Sequence, residues 1–358
     1  MAVPARVITG RRSLLLAAAV CAIVAVAGGL ARLGWHVPVG AAQVVGHGPM
    51  FVLGVFLTVI SLERVVALGG RAAYIGPVAA AAGGLAIAYG LAEVGPWLVL
   101  VAAVALVAMN VAIVRRQAAA FTWAMLVGSL VLTLSIVAWL RGAPVFAVVP
   151  AWMAFFVLTI VAERLELSRL VRVSHVATGL LVVACGVLVV AAMMVMVNAT
   201  AWVHVLGGAL IVIGAWQLRF DAARRTIRRD GLPRYAGLAV LAGAGWLVIT
   251  GGLLLARGLP AAGPDYDAPL HALFIGFVVS AVLAHAPIIG PAVARIAIPF
   301  HPVLYLPLVA LHVSVALRIT GDWFAVVDLR RAGGLCNAIA LGLLPLAVVV
   351  ARARASSR

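Results

Sequence analysis

Charge is scarce in this chain, and lysine is absent from it. Only 10% of its 358 residues are charged and 66% are hydrophobic, with a mean hydropathy of +1.21. A soluble domain has about 25% charged residues, so the composition excludes that class and predicts an all-α polytopic membrane protein. Because all 26 basic residues are arginine, a bias of GC-rich genomes, we expect the protein in the bacterial cytoplasmic (inner) membrane.

Several catalytic and binding signatures are also missing. The three cysteines are far apart and form no CxxC or CxxCH motif, which argues against a zinc ribbon and a covalent c-type haem. The sequence has no P-loop, dinucleotide-binding fingerprint, HExxH motif or nucleophile elbow, so it leaves open whether the protein is an enzyme. No Asp or Glu falls near the middle of a predicted span, which weakens the case for a proton-coupled carrier.

Apolar runs of membrane-spanning length, about 20 residues each, take up almost the whole chain. They predict a helical bundle of about twelve spans in a single membrane domain over residues 1–358. The predicted spans are 13–33, 43–66, 72–91, 96–114, 119–140, 144–163, 174–196, 200–217, 235–256, 268–289, 301–319 and 332–351. The first follows a twin-arginine-like Arg11-Arg12 pair, and we expect it to be a retained helix because further spans follow it.

The arginines lie mostly in alternate predicted loops, which is the pattern of membrane topology and not of a nucleic-acid groove. This distribution predicts that both termini are cytoplasmic, and it predicts no nucleic-acid partner despite the net charge of +16. The longest predicted outer loops are 257–267, which carries Asp265 and Asp267, and 319–331, which carries Asp322 and Asp328. The largest predicted cytoplasmic loop, residues 217–231, contains five of the arginines. It fits a topology anchor facing lipid headgroups or, alternatively, a docking element for a cytoplasmic partner.

A weak internal repeat relates two of the predicted spans. The run from Phe56 to Glu63-Arg64 matches the run from Phe156 to Glu163-Arg164 at its Phe, Glu and Arg positions. We interpret the second and sixth spans as equivalent members of repeated four-helix units, with the tenth span as a third member. The two Glu-Arg pairs are predicted to be salt-bridged anchors at the cytoplasmic ends of their helices.

Histidine is the residue type that points to chemistry. Neutral imidazole is a good ligand for haem iron and copper, and an ionisable side chain inside a membrane is a candidate functional group. A bis-histidine haem needs one imidazole from each of two helices at similar depth. The candidates that meet this condition are His47, His204, His271 and His312. The further candidate metal ligands are His285, His301 and Met50, with apolar packing as the alternative for the methionine.

Two helices that begin at histidine carry a family resemblance. The segment His47-Gly-Pro-Met50 and the segment that runs from His271 to His285 resemble the NnrS family of twelve-span bacterial membrane proteins. Proteins of that family contain haem and copper and are linked to nitric oxide stress. The plan of twelve spans with outer-half histidines is also distantly similar to the catalytic subunit of haem-copper oxidases. The resemblance implies haem and copper as cofactors, with His47, His271 and His285 among the ligands.

The resemblance therefore predicts a haem- or copper-binding membrane protein that handles nitric oxide or related redox stress. Its expected partners are the lipid bilayer and other membrane redox proteins. Two other classes remain open at this point. The repeat and the spans interrupted by Gly and Pro also fit a transporter or permease without a redox cofactor. The arginine-rich loop also fits an assembly factor for another membrane enzyme.

Overall fold

The computed structural model describes residues 5–168 and 173–356. Within these ranges the chain forms helices and short connections, and no β-strand is present. Eleven helices of the described residues are long and apolar enough to cross a membrane, and a shorter apolar helix covers Ala72–Ala88. This is the all-α polytopic bundle that the composition predicted, and large apolar side chains such as Leu16, Ile23 and Val183 are exposed where lipid would cover them.

Contacts divide the chain into two units. The first comprises Met1–Pro144 and Ile289–Ile296, and the second comprises Val145–Ile288 and Ala297–Arg358. The helices that begin in the first unit are α1 (Ala5–Arg32), α2 (Ala41–Pro49), α3 (Leu57–Leu68), α4 (Ile75–Ala88), α5 (Gly95–Arg116) and α6 (Ala120–Leu140). The predicted single domain and the predicted cytoplasmic termini stay predictions.

The helices of the second unit follow in chain order. They are α7 (Val145–Ser168), α8 (His175–Val195), α9 (Ala199–Phe220), α10 (Ala223–Thr226), α11 (Leu232–Arg257), α12 (Pro264–His271), α13 (Ser280–Ala294), α14 (Tyr305–Trp323) and α15 (Val327–Ser356). The last part of α13 belongs to the first unit. Helix α7 is buried along most of its length, with Trp152, Phe155 and Phe156 almost fully covered, so it lies inside protein and not against lipid.

Two spans contain a π-helical segment in their middle. Met50–Phe56 joins α2 to α3, and Ala272–Val279 joins α12 to α13. Prolines precede both segments closely, since Pro49 and Pro269 lie inside α2 and α12. A proline lacks the N–H of the helical ladder and displaces the carbonyl one turn earlier, which gives a physical reason for the break in α-helical bonding. Such π-helical segments are rare and occur frequently at functional sites.

The same glycine and hydroxyl pattern lies in both π-containing spans. Thr58 Oγ1 donates a hydrogen bond to the Gly54 carbonyl at 2.7 Å, and Ser280 Oγ donates to the Gly276 carbonyl at 2.5 Å. Both hydroxyl-bearing side chains are fully buried. The hydrogen bonds satisfy these two hydroxyl groups locally, as an apolar interior requires.

The glycines of these segments let other helices approach closely. A Cβ on Gly54 would lie 2.9 Å from the Cα of Gly84 on α4, which is too close for any side chain. A Cβ on Gly276 would lie 2.5 Å from Cγ of Trp246 on α11. Small residues at such crossings allow tight packing between membrane helices.

Several predicted loops are shorter in the structure than the hydropathy suggested. The expected outer loop 319–331 is mostly helical, because α14 continues to Trp323 and α15 begins at Val327. Helix α12 likewise begins at Pro264, inside the expected loop 257–267. Hydropathy reports the apolar middle of a span, whereas the helical backbone continues into polar residues at each end. The acidic residues Asp267 and Asp322 are therefore on helices and not in loops.

Candidate functional site

The first candidate ligand, His47, lies two residues before the end of α2. Its Nδ1 is 3.2 Å from the Val44 carbonyl oxygen. Because a carbonyl oxygen only accepts, Nδ1 carries the proton, and Nε2 is the nitrogen with a lone pair in the neutral ring. The ring is half-buried beside α1, where a Cβ on Gly29 would lie 3.7 Å from Cδ2. Metal-binding histidines commonly donate their other ring N–H to a carbonyl in this way.

His271 at the end of α12 repeats this arrangement in the second unit. Its Nδ1 is 2.8 Å from the Asp267 carbonyl oxygen, and the π-helical segment begins at the next residue. Nδ1 again carries the proton, which leaves Nε2 as the nitrogen suited to coordination. Each of the two histidines that carry the family resemblance is thus oriented by a main-chain carbonyl one turn earlier.

A buried ionic cluster lies beside His271, and we call it the outer cluster. It consists of Asp267 on α12, Arg318 and Asp322 on α14, and Arg330 on α15. Arg330 donates to Asp267 Oδ2, and Arg318 Nη2 is 3.5 Å from the same oxygen. Arg330 Nε is 2.7 Å from Asp322 Oδ1. Two carboxylates and two guanidinium groups balance each other in charge, as buried ions must.

The outer cluster depends on a close approach between α14 and α15. A Cβ on Gly333 of α15 would lie 2.6 Å from the Cα of Arg318. The backbones of α14 and α15 are therefore in contact next to Arg318. Sequence reasoning missed this cluster because it placed Asp267 and Asp322 in outer loops. The spacing of four residues between Arg318 and Asp322, which puts them on one helical face, was the available signal.

His312 is the other neutral tautomer, with its proton on the opposite ring nitrogen from that of His47 and His271. Trp246 Nε1 donates a hydrogen bond to His312 Nδ1 at 2.9 Å. An indole N–H only donates, so Nδ1 is the acceptor and the neutral ring carries its proton on Nε2. That Nε2 is buried and has no hydrogen-bond partner among the described residues. Coordination by His312 Nε2 would require loss of this proton, and its predicted ligand role stays a prediction.

His285 belongs to a second ionic group at the other end of the π-containing span. Its Nδ1 is 2.7 Å from the Ala281 carbonyl, and its Nε2 is 3.0 Å from Arg164 Nη2 and 3.3 Å from Glu163 Oε2. The predicted Glu163-Arg164 anchor thus includes a histidine from α13. In the other Glu-Arg pair, Glu63 and Arg64 are 3.7 Å apart. Since both ring nitrogens of His285 have partners, metal binding there would compete with these contacts.

The remaining predicted ligands lie in different settings. His204 is exposed, with Nδ1 3.3 Å from the Thr200 carbonyl. His301 accepts a hydrogen bond from the Val303 N–H at 3.1 Å and caps a short helical turn. Met50 is fully buried inside the first unit, which is the setting expected for apolar packing. Their ligand roles are not tested by these contacts and stay predictions.

The described part of the chain contains no group of three or more His, Cys, Asp or Glu side chains placed to hold a metal ion. Copper sites in proteins are built from several such ligands. Haem iron, in contrast, requires only one or two axial ligands from the protein. Haem and copper both stay predictions.

Comparison with known proteins gives a family but no named relative. No curated protein matches the sequence. A family model described as "Domain of unknown function (DUF8744)" matches residues 11–354, nearly the whole chain. The protein, an all-α bundle in which two π-interrupted spans carry His47 and His271, therefore belongs to the DUF8744 family.

Proposed function

We propose that the protein is an integral membrane haem protein of NnrS-like type, which handles nitric oxide or related redox stress in the bacterial inner membrane. His47 of the first unit and His271 of the second unit are each proposed as a residue that would hold haem. The observation that carries the proposal is their shared setting, with Nδ1 bonded to a carbonyl one turn earlier and a π-helical segment that begins within the next three residues. Bound haem would supply an iron that binds nitric oxide or accepts an electron.

The chain itself would supply ligand orientation. The hydrogen bonds to the carbonyl oxygens hold each imidazole in one neutral tautomer, so Nε2 does not have to lose a proton before it coordinates. At His271, the outer cluster also holds α12 against α14 and α15, because Asp267 contacts an arginine from each of them. A ligand held in this way loses little conformational entropy when the metal binds.

An absorption spectrum of the protein purified from haem-replete cells tests the proposal. We expect a Soret band, and we expect H47A and H271A each to lower the haem-to-protein ratio by about half or more. The exposed His36 and His175 offer matched controls, since H36A and H175A should leave the ratio unchanged. A colourless preparation, or equal haem content in all four variants, would contradict the proposal.

Nitric oxide tests the finer part of the proposal. Addition of nitric oxide to the reduced, haem-loaded protein should shift the Soret band, because the gas coordinates to haem iron. Cells without the protein should then grow more slowly than the parent strain under nitric oxide. If the haem spectrum does not respond to the gas, the proposal that the protein binds haem still stands, but the nitric oxide role is contradicted.

The outer cluster favours a transporter as a second candidate function. Asp267, Arg318 and Asp322 are buried on helices of membrane-spanning length, and ionisable residues in that setting often lie on transport pathways. Interrupted helices are also common in transporters. This candidate predicts solute uptake that continues in haem-depleted cells and is lost in D322N. Uptake that depends on haem, or no uptake at all, would exclude it.

A further inference from the structure

A small basic pocket lies at the end of α9, on the side that the arginine pattern predicts to be cytoplasmic. Its volume is about 210 Å³. Four arginines line it together with one aspartate and one aromatic ring, namely Arg219, Arg224, Arg225, Arg228, Asp221 and Phe220. We call it the arginine pocket. Positive charge dominates its lining.

The single negative charge in the lining of the arginine pocket belongs to Asp221. Asp221 is buried, with 3% of its surface exposed, and its Oδ1 accepts a hydrogen bond from the Ala223 N–H at 2.7 Å. The guanidinium of Arg164 on α7 also attracts this carboxylate. Part of the compensation for its charge therefore comes from outside the lining of the pocket.

Two of the four arginines are held in place without a carboxylate. Arg224 Nη1 donates to the Leu218 carbonyl at 3.0 Å, and the Arg219 guanidinium lies 5.1 Å from the centre of the Phe220 ring. Within the described ranges, no carboxylate forms an ion pair with any arginine of the pocket. Their remaining N–H groups are therefore available to an anion, and a planar guanidinium matches the oxygens of a phosphate group.

We infer that the arginine pocket binds a phosphate group, carried either by an anionic phospholipid or by a small soluble phosphate. The pocket lies where the apolar helix α9 ends, and Leu218 beside it is exposed. The end of a spanning helix is at the depth of lipid headgroups, where basic clusters attract anionic lipids. Free phosphate would reach the same groups from the aqueous side.

Thermal unfolding of the purified full-length protein in neutral detergent tests the inference. The probes are dioctanoyl phosphatidylglycerol, dioctanoyl phosphatidylcholine as the zwitterionic control, and inorganic phosphate. The test variant is R225Q/R228Q, because both side chains are exposed and have no side-chain hydrogen bond to lose. The control variant is R352Q/R354Q, which removes the same charge from the exposed end of α15. R225Q/R228Q should unfold at the temperature of the unmodified protein when no probe is present, and the response of each variant to the probes is compared with its own unfolding temperature.

A phosphate site predicts that one probe raises the unfolding temperature of the unmodified protein in a saturable way. R225Q/R228Q should bind that probe about tenfold or more weakly, and R352Q/R354Q should bind it normally. Saturation with phosphatidylglycerol alone identifies a lipid headgroup, and saturation with inorganic phosphate identifies a soluble ligand. The single variant R228Q serves the same purpose if the double variant is unstable. Equal weakening in test and control variants, or no saturable effect of any probe, would overturn the inference.

Discussion

The spans that carry His47 and His271 share one local design and differ in what surrounds it. In both, a histidine is oriented by a carbonyl, a π-helical segment follows, and a buried hydroxyl bonds to the carbonyl of a glycine four residues earlier. Around the first span the close contact is apolar, because Gly54 meets the backbone of Gly84 and the side chain of Cys21. No side chain fits between those backbones.

Around the second span the contacts are polar. Gly276 meets the ring of Trp246, whose N–H is bonded to His312, and the outer cluster lies beside His271. The same local design is thus held by backbone packing in one case and by a hydrogen-bond and ion-pair network in the other. It follows that substitutions should damage the two spans through different mechanisms, although the local design is alike.

Removal of a charge from the outer cluster should have the largest effect. D267N takes a carboxylate away from Arg318 and Arg330, and loss of one member of a buried ionic group costs about 3–5 kcal/mol. Asp265 on the same helix is the matched control, because its ion pair with Arg257 is partly exposed at 3.7 Å. D265N should cost at most about 1 kcal/mol. Unfolding in mixed detergent measures both, and equal losses would show that the cluster does not stabilise the second span.

Crowding at the first span should have an intermediate effect. In G54A the added methyl group meets the Cα of Gly84, and two backbones cannot move apart without wider repacking. Overpacking of this kind costs about 1–3 kcal/mol. G48A on the same span adds a methyl group where nothing lies within 4 Å. A lower unfolding temperature for G54A than for G48A is the expected result, and similar values would contradict the backbone contact.

Loss of the shared hydroxyls should have the smallest effect, and a similar one in both spans. T58V and S280A each remove one hydrogen bond to a glycine carbonyl. Hydrogen bonds between side chains and neighbours in membrane proteins contribute about 0.6 kcal/mol on average. Each variant should therefore lose about 0.5–1 kcal/mol in the same unfolding assay. A large loss in one span only would show that the two hydroxyls have different roles.

Parts of the site could be predicted from the sequence, and parts could not. The histidines at 47 and 271 stood out because an imidazole in an apolar run is costly without a partner. The π-helical segments did not stand out, because the mean hydropathy hardly changes when one residue is added to a helical turn. Pro49 and Pro269 were nevertheless a usable signal. The tautomer of His312 could not be predicted either, since it depends on a hydrogen bond from Trp246, which is distant in the chain.

Apolar runs of spanning length are enough to make this a helical membrane protein, because they leave the chain few other ways to satisfy its backbone in lipid. The positions of the histidines in those runs also identify the candidate ligands. In contrast, the folded arrangement sets which ring nitrogen each histidine presents, and which charges meet in the outer cluster and the arginine pocket. Those properties arise from contacts between residues that are distant in the chain, such as Asp267 with Arg330, and neither composition nor periodicity encodes them.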